Sequence, residues 1–392
     1  MATIIMPRIT RLGGGAIAEL PEAMAQMGLS RPFIVTDPFV ATCGLLDRLL
    51  EVLAGAGLRS GLYSETQSDP TTAVIDAALA VMLEQQVAGD GAFDCVIGFG
   101  GGSPIDTAKA VALRAVLPVP YAEMKVPNQL DTPGLPIIAI PTTAGTGSEA
   151  TRFTIITNEA TSEKMLCAGL GLMPAIAIVD YELTLGKPAR LTADTGIDSL
   201  THAIEAYVSR RANAFSDAVA LRAMGLIAAN IRTACTEPGN HAARAAMMEG
   251  AHLAGIAFSN ASVALVHGMS RPVGAFFHVP HGLSNAMLLP AVTAWSAPAA
   301  LPRYADCARA MGLAGDGEGD QAAVAALLVE LAALNADLKV PGPAAFGIDA
   351  ARWELVVPVM AQQALASGSP GNNPRVPEAS EIEALYRQLW VS

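Results

Sequence analysis

Charged and aromatic side chains are scarce in this sequence. Of its 392 residues, 15% are charged and 5% are aromatic, whereas 52% are hydrophobic. A chain with this composition is not intrinsically disordered, because it can bury enough apolar surface to fold. Its net charge is -12 and it contains no run of basic residues, so binding to nucleic acid is not expected.

Cysteine is also scarce, and no apolar segment suits a membrane. The five cysteines are odd in number and lack CxxC spacing, which argues against a disulfide framework and against a cysteine metal cluster. The longest stretch without an acidic or basic residue, 272–302, contains histidines and prolines and does not predict a spanning helix. The first residues lack the apolar core of a signal peptide. These features predict a cytoplasmic protein with no membrane partner.

The length of the chain favours two domains, since one hydrophobic core rarely serves so many residues. Residues 1–187 alternate short apolar strands with helical segments. This alternation predicts an α/β domain whose mostly parallel sheet has helices on both faces. Residues 188–392 contain helical patterns and no convincing strand, so an all-helical second domain is expected.

A glycine-rich loop lies between a predicted strand and a predicted helix. Gly101, Gly102 and Ser103 follow the apolar strand 95–99, and Pro104 suits the first turn of the helix. Glycines let the backbone approach a phosphate, and the helix N-terminus attracts negative charge. The loop therefore binds a pyrophosphate or is only a tight turn; it does not have the GxGxxG pattern of ordinary dinucleotide-binding folds.

Two other features belong with this loop. Thr142, Thr143 and Ser148 lie in a second loop after a predicted strand, where their hydroxyls could close over the same ligand. Asp37 ends another strand. Its carboxylate would accept hydrogen bonds from an adenosine ribose and repel a 2′-phosphate, which favours NAD over NADP. The alternative for Asp37 is an ordinary turn residue before Pro38.

Four residues have the chemistry of a metal site. Asp198 and His202 are four residues apart, so a helix would present both on one face. Alone, they form a metal-binding pair or a hydrogen-bonded surface pair. With His267 and His281 they make a set of one carboxylate and three imidazoles, which leaves a coordination position open as catalytic sites do. Spacing alone does not show that the two segments meet.

With these residues in place, the sequence resembles the iron-containing (group III) alcohol dehydrogenase family. The resemblance extends over almost the whole chain, in the family's order. It is carried by the stretches GGGSPIDTAKA, PTTAGTGSEATRF, TGIDSLTHAIEAYVS, VHGMSRP, VPHGLSNAMLLP and NNPR.

The resemblance implies reversible hydride transfer between an alcohol and NAD⁺, with a metal acting on the alcohol oxygen. It implies a small-molecule substrate, Fe²⁺ with Zn²⁺ as the alternative, and a homodimer or larger homo-oligomer. It also implies that Lys164 lies near the nicotinamide. The implied metal ligands are Asp198, His202, His267 and His281. The implied phosphate-binding region contains Gly101, Gly102, Ser103, Asp106, Thr142, Thr143 and Ser148.

The sequence departs from the family at one position of interest. Many members have a second histidine in HGMxH, assigned to proton relay, where this chain has Arg271. Arginine cannot accept a proton at working pH. Arg271 therefore holds an anionic group of a hydroxyacid or semialdehyde substrate, or is structural and tied to a nearby acid. His278 could then supply the relay, or it only flanks the site.

Two alternative functions share part of this pattern. A dehydroquinate-synthase-like lyase would need several basic residues for a phosphorylated substrate, but Arg271 is the one basic residue in 263–287. A non-catalytic dinucleotide-binding protein would be expected to lose a metal ligand, and all four are present. An oxidoreductase is the preferred hypothesis.

Overall fold

The computed structural model describes residues 2–88, 91–159 and 163–391. The chain divides into two compact units. The first, here the α/β unit, is Ile5–Gly186. The second, here the helical unit, runs from Lys187 onward and takes in the residues before Ile5.

The α/β unit is built on a six-stranded sheet in which all neighbouring strands are parallel. The strands are β1 Ile9–Leu12, β2 Pro32–Val35, β3 Gly61–Tyr63, β4 Cys95–Gly100, β5 Ile137–Pro141 and β8 Ile176–Val179. The strand order is β1-β8-β5-β4-β2-β3. Gly100 pairs with Pro141, so the carboxyl ends of β4 and β5 lie side by side.

Helices cover both faces of this sheet, as expected for parallel strands that are buried on both sides. Along β4, Ile97 and Phe99 pack into one apolar cluster with Leu20, whereas Val96 packs into a second cluster with Val111. The helices are α1 Leu20–Gln26, α2 Pro38–Thr42, α3 Leu45–Gly55, α4 Thr72–Ala88, α5 Gly102–Arg114 and α6 Tyr121–Met124. The predicted α/β fold is confirmed.

A separate antiparallel hairpin, which the sequence analysis missed, completes the α/β unit. It consists of β6 Phe153–Asn158 and β7 Glu163–Ala168, paired in register. Helix α5 packs against β6. Short 3-10 turns occur at Ala16–Glu19, Ser148–Ala150, Leu170–Leu172 and Tyr181–Thr184.

The helical unit has no strand in its described residues, which confirms the predicted all-helical second domain. Two of its helices begin at asparagine caps: Asn213 and Ser216 form a reciprocal capping box, and Asn240 accepts from the Ala243 amide. The helices are α7 Ala189–Val208, α8 Ala214–Thr236, α9 His241–Asn260, α10 Leu265–Phe277, α11 His281–Ser296, α12 Leu301–Ala310, α13 Asp320–Asp337, α14 Pro343–Phe346, α15 Ala350–Ala366 and α16 Ala379–Val391, with 3-10 turns at Ala297–Ala299 and Ser369–Asn372.

Helix α8 is long and apolar enough to cross a membrane by length and composition, and α9 with α10 would pass the same test as one bent pair. This is weak evidence for a membrane, because core helices of globular proteins often pass. Here α8 packs along α7 and α9 within the helical unit.

Helices α10 and α11 form a tight pair that positions histidines. Proline occurs inside each, at Pro272 and Pro290. Helix α10 ends at His278, whose φ of 55° is left-handed, and α11 begins at His281. The connection is short, so the first turn of α11 stays close to α10.

Candidate metal centre and cofactor loops

Helix α7 carries a buried polar face. Asp198, His202 and Glu205 are spaced four and three residues apart, which places their side chains on one side of the helix. Their exposures are 2%, 4% and 3%. Polar groups buried this deeply need partners, and α10 and α11 supply them.

Helices α10 and α11 bring two histidines to this face. His267 lies in the first turn of α10, and His281 is the first residue of α11. Gly282 makes the close approach possible: a Cβ there would be 2.5 Å from the Asp194 carbonyl oxygen of α7. A larger residue at 282 would push His281 away from Asp198.

The four ligand atoms lie close together. Asp198 Oδ1 is 3.5 Å from His267 Nε2, 3.8 Å from His281 Nε2 and 4.0 Å from His202 Nε2. All four lie within 4.8 Å of one another. A four-coordinate ion about 2.1 Å from each ligand atom would hold these atoms about 3.4 Å apart. The Asp198–His267 distance already matches this value, and the wider pairs would have to move together to bind one ion.

Asn285 shows that the lone pairs of these ligands converge. Its Nδ2 lies 2.6 Å from Asp198 Oδ1, 3.1 Å from His267 Nε2 and 3.3 Å from His281 Nε2. The amide thus occupies the place among these acceptors where a cation would be attracted. Its Oδ1 is buried and has no hydrogen-bond partner among the described residues. The donor set therefore fits a divalent ion.

The charges of the set also favour a cation. Burial alone would raise the pKa of Asp198, but His202, His281 and His267 lower it well below its usual range, so this carboxyl is ionised. Burial disfavours charge on His267, yet Asp198 and Glu205 together raise its pKa. The site attracts positive charge, which a proton or a metal ion can supply.

Glu205 is a site residue that the sequence analysis missed. Its Oε2 is 2.7 Å from His267 Nδ1, which keeps the proton on Nδ1 and leaves Nε2 free to bind a metal. The same carboxylate accepts from the amides of Ala264, Val266 and His267 at the start of α10. Glu205 could have been found from its helical spacing, because it lies on the same face as Asp198 and His202. Asn285 could have been found in the same way, because it is four residues after His281.

The set is more open on one side than on the other. The His281 side chain is 42% exposed, compared with 4% for His267. His202 is stacked between the rings of Phe258 and His267, with centroids 4.3 and 4.4 Å away. A small molecule can therefore reach the set from the side of His281.

Arg271 lies on α10 after His267, and His278 follows the last residue of this helix as its C-cap. Arg271 is mostly buried, and its Nη1 donates to Ser369 Oγ at 3.0 Å. Within the described chain no carboxylate lies within ion-pair distance of it, so the expected structural tie to an acid is absent. His278 is exposed at the end of the helix, and its role as a relay stays a prediction.

The glycine loop lies at the carboxyl ends of β4 and β5. Gly100 has a φ of 151°, and a Cβ there would be 2.6 Å from Pro104, so only glycine fits. Gly101 caps α5, whose first turn contains Gly102 and Ser103. The Thr142 amide donates to the Gly100 carbonyl at 2.8 Å, which joins the two predicted loops.

Asp37 is close to this loop. It caps α2, accepting from the Val40 amide at 2.9 Å, and its Oδ2 lies 3.2 Å from the Cβ position of Gly100. One Asp37 oxygen therefore caps a helix while the other faces the loop, and its role at an adenosine ribose stays a prediction. The Thr142 hydroxyl is buried without a partner in the described chain, as expected for a loop that holds a polar ligand.

Asp106 and Ser148 are already engaged with the protein. Ser148 Oγ donates to Asp106 Oδ1 at 2.7 Å, and Asp106 Oδ2 accepts from the Ile155 amide at 2.9 Å. Lys109, which the sequence analysis missed, donates to Ser148 Oγ and to the Thr151 carbonyl. Burial lowers the pKa of Lys109 to about 8, although Asp106 and Glu149 oppose the shift. These hydrogen bonds hold the Asp106 and Ser148 side chains in place beside the two loops.

The other predicted cofactor residues differ in position. Thr143 lies beside Gly101, with its Oγ1 3.7 Å from the Cβ position there. Lys164 is on β7, where its Nζ pairs with Asp69 Oδ2 at 2.8 Å on the surface. Its place near a nicotinamide stays a prediction.

A parallel α/β unit with glycine and hydroxyl loops, together with a helical unit that holds a carboxylate–imidazole set, has the parts of a dinucleotide- and metal-dependent oxidoreductase. The model "Iron-containing alcohol dehydrogenase" matches residues 7–181, and "Fe-containing alcohol dehydrogenase family, C-terminal" matches residues 192–390. The chain belongs to the iron-containing alcohol dehydrogenase family, and it is an oxidoreductase of small alcohols or aldehydes. The family favours this function over the lyase and the non-catalytic protein.

Named relatives cover the whole chain. Lactaldehyde reductase of Escherichia coli (strain K12) is 35% identical over 390 residues, 99% of each chain. NAD-dependent methanol dehydrogenase of Bacillus methanolicus is 34% identical over 388 residues, also 99% of each. A crystal structure of 1,3-propanediol oxidoreductase superposes with a TM-score of 0.93 at 34% identity, covering 99% of this chain and 100% of that one.

Replacing Glu205 by glutamine should weaken metal binding about 10- to 100-fold, because the His267 ring loses its carboxylate partner. The amide oxygen of glutamine can still accept from the start of α10, so the variant should fold. Chelator competition with Zn²⁺ measures the dissociation constant. Glu249→Gln, whose carboxylate only meets Arg222 at the surface, is the matched control and should bind metal as the wild type does. Equal affinity in Glu205→Gln would contradict the role given to Glu205.

Proposed function

We propose that this enzyme transfers a hydride reversibly between a nicotinamide cofactor and a small alcohol or aldehyde, using NAD in preference to NADP. We further propose that Fe²⁺, with Zn²⁺ as the alternative, is held by Asp198, His202, His267 and His281. The observation that carries the proposal is the convergence of these ligand atoms within 4.8 Å around a buried, ionised carboxylate.

The chain's own residues prepare this centre. When bound, the ion supplies a Lewis acid for the substrate oxygen. Glu205 fixes the His267 tautomer so that Nε2 is available to the ion. Asn285 Nδ2 now contacts Asp198 Oδ1 at the place where the ion would bind, so this amide would turn aside on loading. His281 is the exposed ligand, and we place substrate entry on its side.

The cofactor is assigned to the α/β unit. The nicotinamide supplies the hydride acceptor or donor. Gly101, Gly102 and Ser103 at the N-terminus of α5 suit a pyrophosphate, with Thr142 and Thr143 beside it. Asp106 and Ser148, held by Lys109, fix the shape of this region instead of presenting free hydroxyl or carboxylate groups. A relative named as NAD-dependent supports the choice of NAD.

The proton pathway needs a group that can accept a proton. Arg271 stays charged and cannot do so. His278 is the imidazole of this segment outside the ligand set, and its exposed position at the end of α10 would let it exchange protons with solvent. We assign His278 to the relay as part of this proposal.

The assembly and compartment are also proposed. The family resemblance supports a homodimer or larger homo-oligomer. The cysteines are Cys43, Cys95, Cys167, Cys235 and Cys307, and those five thiols are free in the described structure. Free thiols suit the cytoplasm, and the net charge of -12 gives no support to a nucleic-acid partner.

The function is tested with enzyme loaded anaerobically with Fe²⁺ and assayed with NADH on C2–C5 aldehydes. We expect turnover by the wild type and one divalent ion per subunit. His267→Ala should lose both the ion and at least about 100-fold in kcat/KM, because a ligand is missing. His241→Ala, an exposed histidine outside the set, is the matched control and should keep both. Full activity of the wild type freed of metal would refute the proposal.

Cofactor preference is tested at Asp37. Asp37→Asn keeps an acceptor for the Val40 amide but removes the charge that would repel a 2′-phosphate. The ratio of kcat/KM for NADH over NADPH should fall about tenfold, equal to about 1.4 kcal/mol. Asp47→Asn, in the first turn of α3, is the control and should not change this ratio. A wild type that uses NADPH as well as NADH would contradict the proposal.

A further inference from the structure

Arg271 differs from most arginines of this protein in having no carboxylate partner. It makes no ion pair among the described residues, although the chain is strongly acidic. The hydrogen bond that it makes within the described part of the chain is to the neutral Ser369 hydroxyl. The arginines with ion pairs include Arg48, Arg190, Arg232, Arg303, Arg309, Arg375 and Arg387.

Arg244 provides a comparison within the helical unit. It too is buried and meets only neutral acceptors, but it makes three hydrogen bonds, to the Pro238 carbonyl, Thr192 Oγ1 and the Lys187 carbonyl. Its guanidinium is satisfied by the protein. The Arg271 guanidinium has most of its donors left for another partner.

Glu205 is the carboxylate that influences Arg271 electrostatically, and both of its oxygens already accept hydrogen bonds from other groups. Burial lowers the pKa of Arg271, and Glu205 opposes this shift. The two Glu205 oxygens already accept from the start of α10 and from the His267 ring. A partly buried guanidinium whose one hydrogen-bond partner among the described residues is neutral leaves its charge largely uncompensated. An anion that joins it would compensate that charge.

The position of Arg271 relates it to the metal ligands. It lies four residues after His267 on α10, so both side chains project from one face of the helix. Helical side chains lean toward the N-terminus, which directs the long Arg271 side chain back over the turn that carries His267. The two residues are therefore about 6 Å apart along the helix axis, a separation that a short substrate with two functional ends would span.

We propose that the Arg271 guanidinium binds a carboxylate at the far end of the substrate, so that the enzyme acts on aldehydes and alcohols that carry a carboxylate. The arginine fork suits two parallel hydrogen bonds to a carboxylate. This inference rests on the proposed function in that the carbonyl end of the substrate lies at Asp198, His202, His267 and His281.

The test compares kcat/KM on matched charged and uncharged aldehydes of equal chain length. The pairs are glyoxylate with acetaldehyde, succinic semialdehyde with butanal, and glutaric semialdehyde with pentanal. The wild type should prefer the charged member of at least one pair. In Arg271→Met, kcat/KM should fall about 10- to 100-fold for that charged aldehyde and less than about threefold for its uncharged partner. Arg271→Lys, which keeps the charge but not the fork, should fall between them.

Two controls separate anion binding from packing. Ser369→Ala removes the neutral partner of Arg271, and Arg244→Met removes the comparison arginine; both should keep the charged-to-uncharged ratio of the wild type. If Arg271→Met does not fold, Arg271→His replaces it, because many family members have histidine at this position of the HGMxH pattern. This variant should fold and should lose the preference for the charged aldehyde in the same way.

A binding measurement without turnover keeps this inference separate from the proposed function. Calorimetry on Zn²⁺-loaded protein without nicotinamide should show 4-hydroxybutanoate binding that Arg271→Met weakens at least about tenfold. If no pair shows hydride transfer but Arg271-dependent binding of 4-hydroxybutanoate persists, the proposed function is wrong and the anion site at Arg271 still stands. Equal losses on both members of each pair, or no charged preference in the wild type, would overturn the anion site.

Discussion

The Glu205 carboxylate is the contact on which the helical unit's site depends. It accepts from the amides that open α10 and from the Nδ1 of His267, so one side chain fixes both a helix start and the tautomer of His267. Because α11 follows α10 after a short connection, the placement of α10 also sets where His281 meets Asp198. A buried negative charge of this kind is tolerated because every oxygen has hydrogen-bond donors.

Much of the site followed from local sequence pattern. The four-residue spacing of Asp198 and His202 holds on α7, and the glycine loop does join a strand to the start of α5. These predictions succeeded because each depends on neighbours within a helical turn or a strand–helix junction. The meeting of α7 with α10 and α11 came only from resemblance, because no local pattern encodes a contact between distant segments.

What the sequence could not reveal has physical reasons. Glu205 and Asn285 look like ordinary helical polar residues, and only the fold shows that they are buried in contact with His267 and Asp198. Lys109 is unusual for the same reason, since a lysine in a helix normally reaches solvent. Pro272 and Pro290 lie inside α10 and α11, and because proline normally breaks a helix, the sequence pattern gives no bounds for these two helices. Nor does the sequence reveal that Arg271, in an acidic chain, has no carboxylate partner among the residues that the structure describes.

The central claim is that Asp198, His202, His267 and His281 hold one metal ion. Anomalous diffraction at the iron edge, on crystals grown anaerobically from Fe²⁺-loaded protein, tests it most directly. The account predicts one peak per chain, about 2.1 Å from an Asp198 oxygen and from one nitrogen of each imidazole, with Glu205 still bonded to His267 Nδ1. A peak at other residues, or none at this set in protein that binds one equivalent of iron, would contradict it.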